Sequence, residues 1–351
     1  MTPTEAVTAY PWLLLGCAFL LGSLVGSFLN VVIHRLPIML ERQWREQADE
    51  ALAADENPGP IAAAETDPAG AEIAVVDVAA TTITNVPEIE VTNVAQAAVT
   101  DVAETAVTDG DGPERYNLIV PRSRCPQCNA PIKAHQNIPV LSWLLLGGKC
   151  ANCKARISAR YPIIELATAL LSVAVVWRFG WHWQSAAALL LTWSLIALTV
   201  IDIDHQILPD VITLPLLWIG LLLSLAWVAN LRPPMPVDPR SAIVGGAAGY
   251  LTLWLVFWGF KLLTGKDGMG YGDFKLFGAI GAWMGWQMLP LVLLLAAFAG
   301  AVVGLALIVL RGRDRRLPIS FGPYLAAAAW IALMWGPQLV GGYLGFSGMS
   351  R

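Results

Sequence analysis

The chain has 351 residues, 56% hydrophobic and 14% charged, with a formal net charge of −4 and a mean hydropathy of +0.59. A soluble globular domain averages about 25% charged residues, so this composition excludes a soluble enzyme and predicts an all-α polytopic membrane protein. The net charge hides an asymmetry: residues 46–114 hold 16 Asp or Glu and no Lys or Arg, leaving 10 acids against 22 bases elsewhere.

The first apolar run, Trp12–Ile33, is too long for a signal-peptide core and lacks a basic segment before it. We read it as a retained transmembrane helix, extending over residues 1–37 with its flanks. Gly22, Gly26 and Ser27 recur at helical spacing and suit close helix contact. Asn30 and His34 share a face, more consistent with helix–helix hydrogen bonding than with a direct part in chemistry. Cys17 lies inside the run and reads as inert packing. Residues 38–45 form a connection.

Residues 46–114 are rich in Ala, Val, Thr and acids and contain no aromatic residue. An eight-residue pattern runs through Ile83-Thr-Asn-Val, Val91-Thr-Asn-Val and Val99-Thr-Asp-Val. Low complexity and charge of one sign predict a solvent-exposed, ill-ordered insertion.

Residues 115–160 form a polar module with two C-x-x-C pairs, Cys125/Cys128 and Cys150/Cys153, separated by 21 residues. Four thiolates on two turns fit a closed tetrahedral structural zinc site. Arg122, Arg124, Lys149, Lys154 and Arg156 flank it and offset its negative charge. Two disulfides are the alternative and require an oxidising compartment.

Seven further apolar runs follow, near Ile163–Trp177, Ser185–Ile201, Val211–Ala229, Ala242–Phe260, Phe274–Leu289, Leu291–Leu310 and Pro323–Val340. The total is then about eight transmembrane helices, of which the run beginning at Phe274 is the weakest. If the segment after the first run is cytoplasmic, 18 of the 22 bases fall on the cytoplasmic side and 4 opposite. The positive-inside rule favours that orientation. It places the cysteine module in a reducing compartment, where thiolates persist.

Two acidic stretches interrupt the apolar runs on that same side. One is Asp202-Ile-Asp204-His205-Gln206-Ile-Leu-Pro-Asp210; the other is Gly268-Met-Gly270-Tyr-Gly272-Asp273-Phe-Lys275. Ionisable groups at membrane depth are costly and mark function. Asp202 ends the third run and Asp273 begins the sixth, at one depth. Two close carboxylates cannot both ionise easily and share a proton. One then acts as base on a water while the other polarises a carbonyl. Gly268, Gly270 and Gly272 leave the backbone beside Asp273 bare, so an extended peptide can approach. Asp204 and Asp210 also read as loop acids, or Pro209-Asp210 as the start of the next helix with Asp210 near its positive end; His205 reads as a wetted loop histidine, and Lys275 as a partner for an acid or a positive-inside anchor. Glu165 sits at the mouth of the second run, facing the same cavity or the helix dipole.

Taken together, Gly26-Ser-Phe-Leu-Asn-Val-Val-Ile-His-Arg-Leu-Pro37, the two cysteine pairs, Arg160-Tyr-Pro-Ile-Ile-Glu165, Asp202 to Asp210 and Gly268 to Asp273 resemble the bacterial type IV prepilin peptidases. These are bifunctional leader peptidase/N-methyltransferases. The resemblance covers nearly all of the chain outside 46–114 and implies a seven-helix peptidase domain over residues 161–351. It implies that Asp202 and Asp273 are the catalytic pair of a G-x-G-D aspartic peptidase, with Asp204, Asp210, Gly270, Gly272, Lys275 and Glu165 in support. The same G-x-G-D logic recurs in presenilin-like intramembrane proteases. The resemblance further implies cleavage of prepilins and pseudopilins after glycine on the cytoplasmic side of the inner membrane. Methylation of the new N-terminus by S-adenosylmethionine, a structural zinc ion at the cysteines, and work alongside pilus or type II secretion machinery are implied as well. Nucleic acid is not an expected partner. No conventional nucleotide-binding motif locates the methyl-donor site. Two other readings stand beside this one: a metal-dependent membrane transferase binding magnesium at Asp202, Asp204 and Asp210, and a non-enzymatic secretion scaffold.

Overall fold

In lipid, backbone polar groups must be satisfied within the segment that carries them, which favours helices. The computed structural model describes residues 11–56, 116–120, 123–227, 237–266, 268–311 and 320–347. Its helices are α1 (Pro11–Glu56), α2 (Leu141–Leu145), α3 (Arg160–Phe179), α4 (Trp183–His205), α5 (Asp210–Ser224), α6 (Pro239–Thr264), α7 (Tyr271–Met284), α8 (Leu289–Arg311) and α9 (Gly322–Phe346). Two isolated β-bridges lie between α1 and α3. The chain divides into residues 1–43 with 117–351, which hold the candidate site, and residues 44–116.

Within α1 the helix runs through Pro37 to Glu56, so the connection at 38–45 and the start of the acidic segment are helical. The repeats at 83–110 and the rest of the insertion lie outside the described residues.

Among the described residues, seven helical segments, in α1, α3, α4, α5 with the 3-10 turn Leu225–Trp227 that continues it, α6, α8 and α9, are long and apolar enough to cross a membrane. The chain is a multi-pass membrane protein. The run beginning at Phe274 differs from the others. It forms α7, only 14 residues, about 21 Å at 1.5 Å per residue and short of the ~30 Å hydrocarbon core. Its length is set by burial: from Phe274 to Trp283 only Lys275 escapes the interior. Phe274, Phe277, Ile280 and Trp283 centre a cluster with Leu198 of α4, Leu216 of α5, Leu253 and Phe257 of α6, Val292 of α8 and Leu325 of α9. A helix enclosed by other helices need not match the bilayer thickness.

Small residues let α7 lie against α6. A Cβ added at Gly245 or Gly281 would overlap the other's carbonyl, and one at Gly249 would come within 2.5 Å of the Phe277 carbonyl. The same device joins α1 to α3, as expected from Gly22 and Gly26: their added Cβ atoms would lie 2.8 Å from Ala169 Cα and 2.7 Å from Glu165 Cα. Asn30 Nδ2 donates to the Tyr161 carbonyl at 3.2 Å, which is the helix–helix role read from its position. Cys17, expected to pack inside, is exposed.

The helix ends follow local chemistry. Asp238 caps α6 by accepting the Ser241 N–H at 3.1 Å, with Pro239 at the first helical position. Gly265, at φ 69°, terminates it in the left-handed conformation. The chain then doubles back along the last turns of α6. Gly268 lies against the Phe260 ring, and Tyr271 and Phe274 meet Phe257 with ring centroids 5.4 and 5.6 Å apart. Thr264 lies seven residues beyond Phe257. The start of α7 is thus set back from the end of α6 by about 10 Å, two helical turns. This return places Asp273 inside the bundle.

Candidate active site and metal centre

Asp202 and Asp273 lie on different helices and line one cleft. Its volume is about 210 Å³, and its other walls are Gln206, Leu208, Gly268, Met269, Gly270, Gly272, Ser320 and Phe321. Asp202 is in the last turn of α4 and 5% exposed; Asp273 is in the first turn of α7 and 6% exposed. Buried carboxyls need partners, and here a serine hydroxyl supplies one.

Helix α4 ends where Gln206 turns left-handed, at φ 55°, and its N–H bonds the Asp202 carbonyl at 3.0 Å. That turn frees Leu208, which wedges beside both Gly272 and Gly322. The Asp202 carboxylate accepts a hydrogen bond at Oδ2 from the Ser320 hydroxyl, and Gly322 packs against the same oxygen, where an added Cβ would overlap it. Gly322 opens α9, so Asp202 faces the positive end of a helix dipole. Asp273 occupies the third position of α7 after the Gly270 cap, and its N–H bonds the Gly270 carbonyl at 3.2 Å. Its Oδ1 is buried and has no hydrogen-bond partner in the protein. A buried orphan oxygen costs about 1–3 kcal/mol. It is where a shared proton, a water or a substrate group can be received.

The three glycines before Asp273 play different roles. A Cβ on Gly268 would strike Phe260 and one on Gly272 would lie 2.7 Å from Leu208 Cβ, whereas one on Gly270 would only touch Asp273 Oδ2 at 3.9 Å. Only Gly270 matches the expectation of bare backbone open to a peptide. Gly268 and Gly272 serve close contact within the protein.

The other acids diverge from the pair. Asp204 pairs with Arg160 of α3. Asp210 pairs with Lys275, whose Nζ lies 2.7 and 2.6 Å from its two oxygens. Asp202, Asp204 and Asp210 therefore do not converge as magnesium ligands. Among the described residues, the cysteines are the group that could hold a metal. Glu165 is in α3, away from the cleft walls. Its Oε2 accepts the Val140 N–H at 2.7 Å. Val140 is a β-branched residue at φ 59°, a conformation that needs such an anchor.

Ser320, Phe321 and Gly322 escaped sequence reading. No titratable group marks them, and the first of them, Ser320, lies 118 residues beyond Asp202. A Ser before a Gly-Pro helix start suggests a cap, which hides its different role here.

The cysteine sites repeat each other at an offset of 25 residues. Arg124 bridges Pro131 and Lys149 bridges Arg156. The Cys125 N–H bonds the Ala130 carbonyl at 3.0 Å, and the Cys150 N–H bonds that of Ala155 at 2.8 Å. Asn129 and Lys154 are both left-handed, at φ 55° and 62°. The four Sγ atoms lie within 4.8 Å of one another, and all four cysteines are free thiols. Cys125 and Cys153 Sγ are 3.8 Å apart, the edge of a tetrahedron with metal–sulfur bonds of about 2.3 Å. The Ala130 amide and then the Asn152 side chain donate to Cys128, holding its thiol down at about 6. Donors from the Cys153 and Asn152 backbones likewise lower Cys150. Both are ready to act as thiolate ligands. The donor set and spacing fit a four-coordinate metal ion with no open position.

Fold and site define a multi-pass membrane protein with a buried aspartate pair in one cleft and a four-cysteine cluster that could hold a metal ion. Residues 20–179 match the bacterial peptidase A24 N-terminal domain, and residues 189–305 match the type IV leader peptidase family. The protein named prepilin leader peptidase/N-methyltransferase of Stutzerimonas stutzeri is 46% identical, the alignment covering 99% of each chain. Those of Aeromonas salmonicida (strain A449) and Pseudomonas aeruginosa are 48% and 46% identical, covering 97% and 98% of each chain. No solved structure matches. The chain belongs to the type IV leader peptidase family.

Proposed function

We propose that this protein is the prepilin leader peptidase/N-methyltransferase of a bacterial inner membrane, with Asp202 and Asp273 as its catalytic pair. The observation that carries the peptidase reading is the shared cleft: two buried carboxyls line it, and Asp273 Oδ1 has no partner. In this reading the pair shares one proton. A water held between them loses a proton to the ionised carboxylate and attacks the scissile carbonyl. The protonated partner donates to that carbonyl oxygen. The tetrahedral intermediate then collapses, and a carboxyl proton passes to the departing amine.

The substrate class follows from the relatives' name and the site's position. A prepilin or pseudopilin carries a basic leader before an apolar helix, and cleavage follows the glycine where the two meet. The bases flanking the cysteine module support a cytoplasmic module under the positive-inside rule, and the same reading has the aspartate pair act on that side. The new amine would then be methylated with S-adenosylmethionine as donor; no residue is assigned to that step. Zinc is the ion best matched to four thiolates. Bound by Cys125, Cys128, Cys150 and Cys153, it would hold the module's fold and offer no position to substrate. Handover to pilus or type II secretion machinery is part of the same proposal.

The test uses purified full-length protein in detergent and a synthetic prepilin peptide, with and without EDTA. Cleavage that survives brief chelation and is lost in Asp202→Asn and in Asp273→Asn supports the pair. Cleavage lost in Asp204→Asn yet retained in Asp273→Asn would refute it. Mass spectrometry of the mature N-terminus reports cleavage position and methylation together.

A further inference from the structure

We propose that Ser320 is a positioning residue for peptide cleavage: its hydroxyl holds Asp202 Oδ2, with the Gly322 backbone packed against the same oxygen, so that the other oxygen faces the cleft. This deepens the peptidase reading and rests on it.

The proposal starts from where the hydroxyl points. A serine just before a helix usually bonds the free amides of the first turn. Ser320 does not. The cap position of α9 is Phe321, with no side-chain cap bond, and the Ser320 hydroxyl donates to Asp202 instead. Ser320 lines the cleft with both aspartates. The backbone two residues on reinforces the geometry. Gly322 approaches the same carboxyl so closely that an added Cβ would overlap Oδ2 and lie 3.1 Å from Cγ.

A hydroxyl donor on one oxygen and a backbone packed against it restrict the carboxylate's rotation. A carboxylate free to turn about χ2 would present its reacting oxygen only part of the time. Leu208 packs on Gly322 in turn, since an atom added there would also lie 3.3 Å from Leu208 Cδ1. Ser320 therefore acts through Asp202 and need not touch the scissile bond. Its loss should slow the chemical step without weakening peptide binding.

The experiment measures kcat and KM for a synthetic prepilin peptide with full-length wild type, Ser320→Ala and Ser320→Thr. Metal content and thermal midpoint are followed in parallel. A hydrogen bond to a charged group should make the effect at least on the order of tenfold in kcat. The expected result is that loss for Ser320→Ala, with KM within about twofold, and recovery of most activity in Ser320→Thr, which keeps the hydroxyl. Three outcomes overturn the role: Ser320→Ala with kcat within twofold of wild type, Ser320→Thr as slow as Ser320→Ala, or a kcat loss matched by loss of folded protein. Failure of the wild type itself to cleave overturns the peptidase reading, and the Ser320 role with it.

Discussion

Gly322 opens α9 directly against the Asp202 carboxyl, and its replacement by alanine probes how tightly the site is held. The added Cβ would overlap Oδ2 and sit 3.1 Å from Cγ, whereas carbon pairs settle at about 3.5–4.0 Å. Something must move by roughly 0.5–1 Å. The α9 backbone is anchored behind Gly322 by Leu325, which is fully buried, so the carboxylate is the group that yields. A misplacement of about 1 Å can cost about a hundredfold in rate, or about 2.7 kcal/mol in the barrier. Gly270→Ala is the control. It adds the same methyl beside the other aspartate, but its nearest neighbour is Asp273 Oδ2 at 3.9 Å. We expect Gly322→Ala to lower kcat for peptide cleavage by on the order of a hundredfold, and Gly270→Ala by less than about fivefold. The assay is steady-state cleavage in detergent, with thermal midpoints confirming folded protein. Equal rates for the two folded variants would refute the claim that α9 holds Asp202 in register.

Other predictions concern the surroundings. Gly272→Ala drives a methyl to within 2.7 Å of Leu208 Cβ and should fall between the two variants above in kcat. Glu165→Ala removes the acceptor of the Val140 amide; a lost bond to a charged group should cost about 1.5–3 kcal/mol, read as a lower thermal midpoint and faster proteolysis within 134–160. Glu165→Gln, which keeps an acceptor oxygen, should cost less. The Lys275–Asp210 pair is exposed, so a double-mutant cycle should return a coupling of only about 0.2–1 kcal/mol. Metal analysis should give about one zinc per chain, falling in Cys125→Ser/Cys128→Ser.

Much of the fold was legible because lipid imposes a simple code. A segment that crosses must be apolar for about 20 residues, and seven segments declare themselves that way. Helix α7 broke the code because its neighbours are protein, so neither its length nor its edges answer to bilayer thickness. The cysteine spacing was equally readable, since a C-x-x-C turn brings its two sulfurs together by local geometry alone. Asp202 and Asp273 stood out as acids among apolar residues. Their glycines were misjudged in part: the composition of Gly268 to Gly272 shows where side chains are missing but not what fills the space.

The chain's residues alone determined the class of protein and the two thiolate turns, and marked Asp202 and Asp273 as acids among apolar residues; topology and the family resemblance then singled them out as the expected pair. The local features depend on periodicity, spacing and the cost of charge in lipid, all written in contiguous stretches. Only the tertiary structure decided which acids share a cleft, that Asp204 and Asp210 turn to Arg160 and Lys275, and that Ser320 bonds Asp202 with Gly322 packed against it. Those pairings join residues far apart in sequence. They are selected by helix packing, by the return of the chain along α6 and by the close approach that glycine allows.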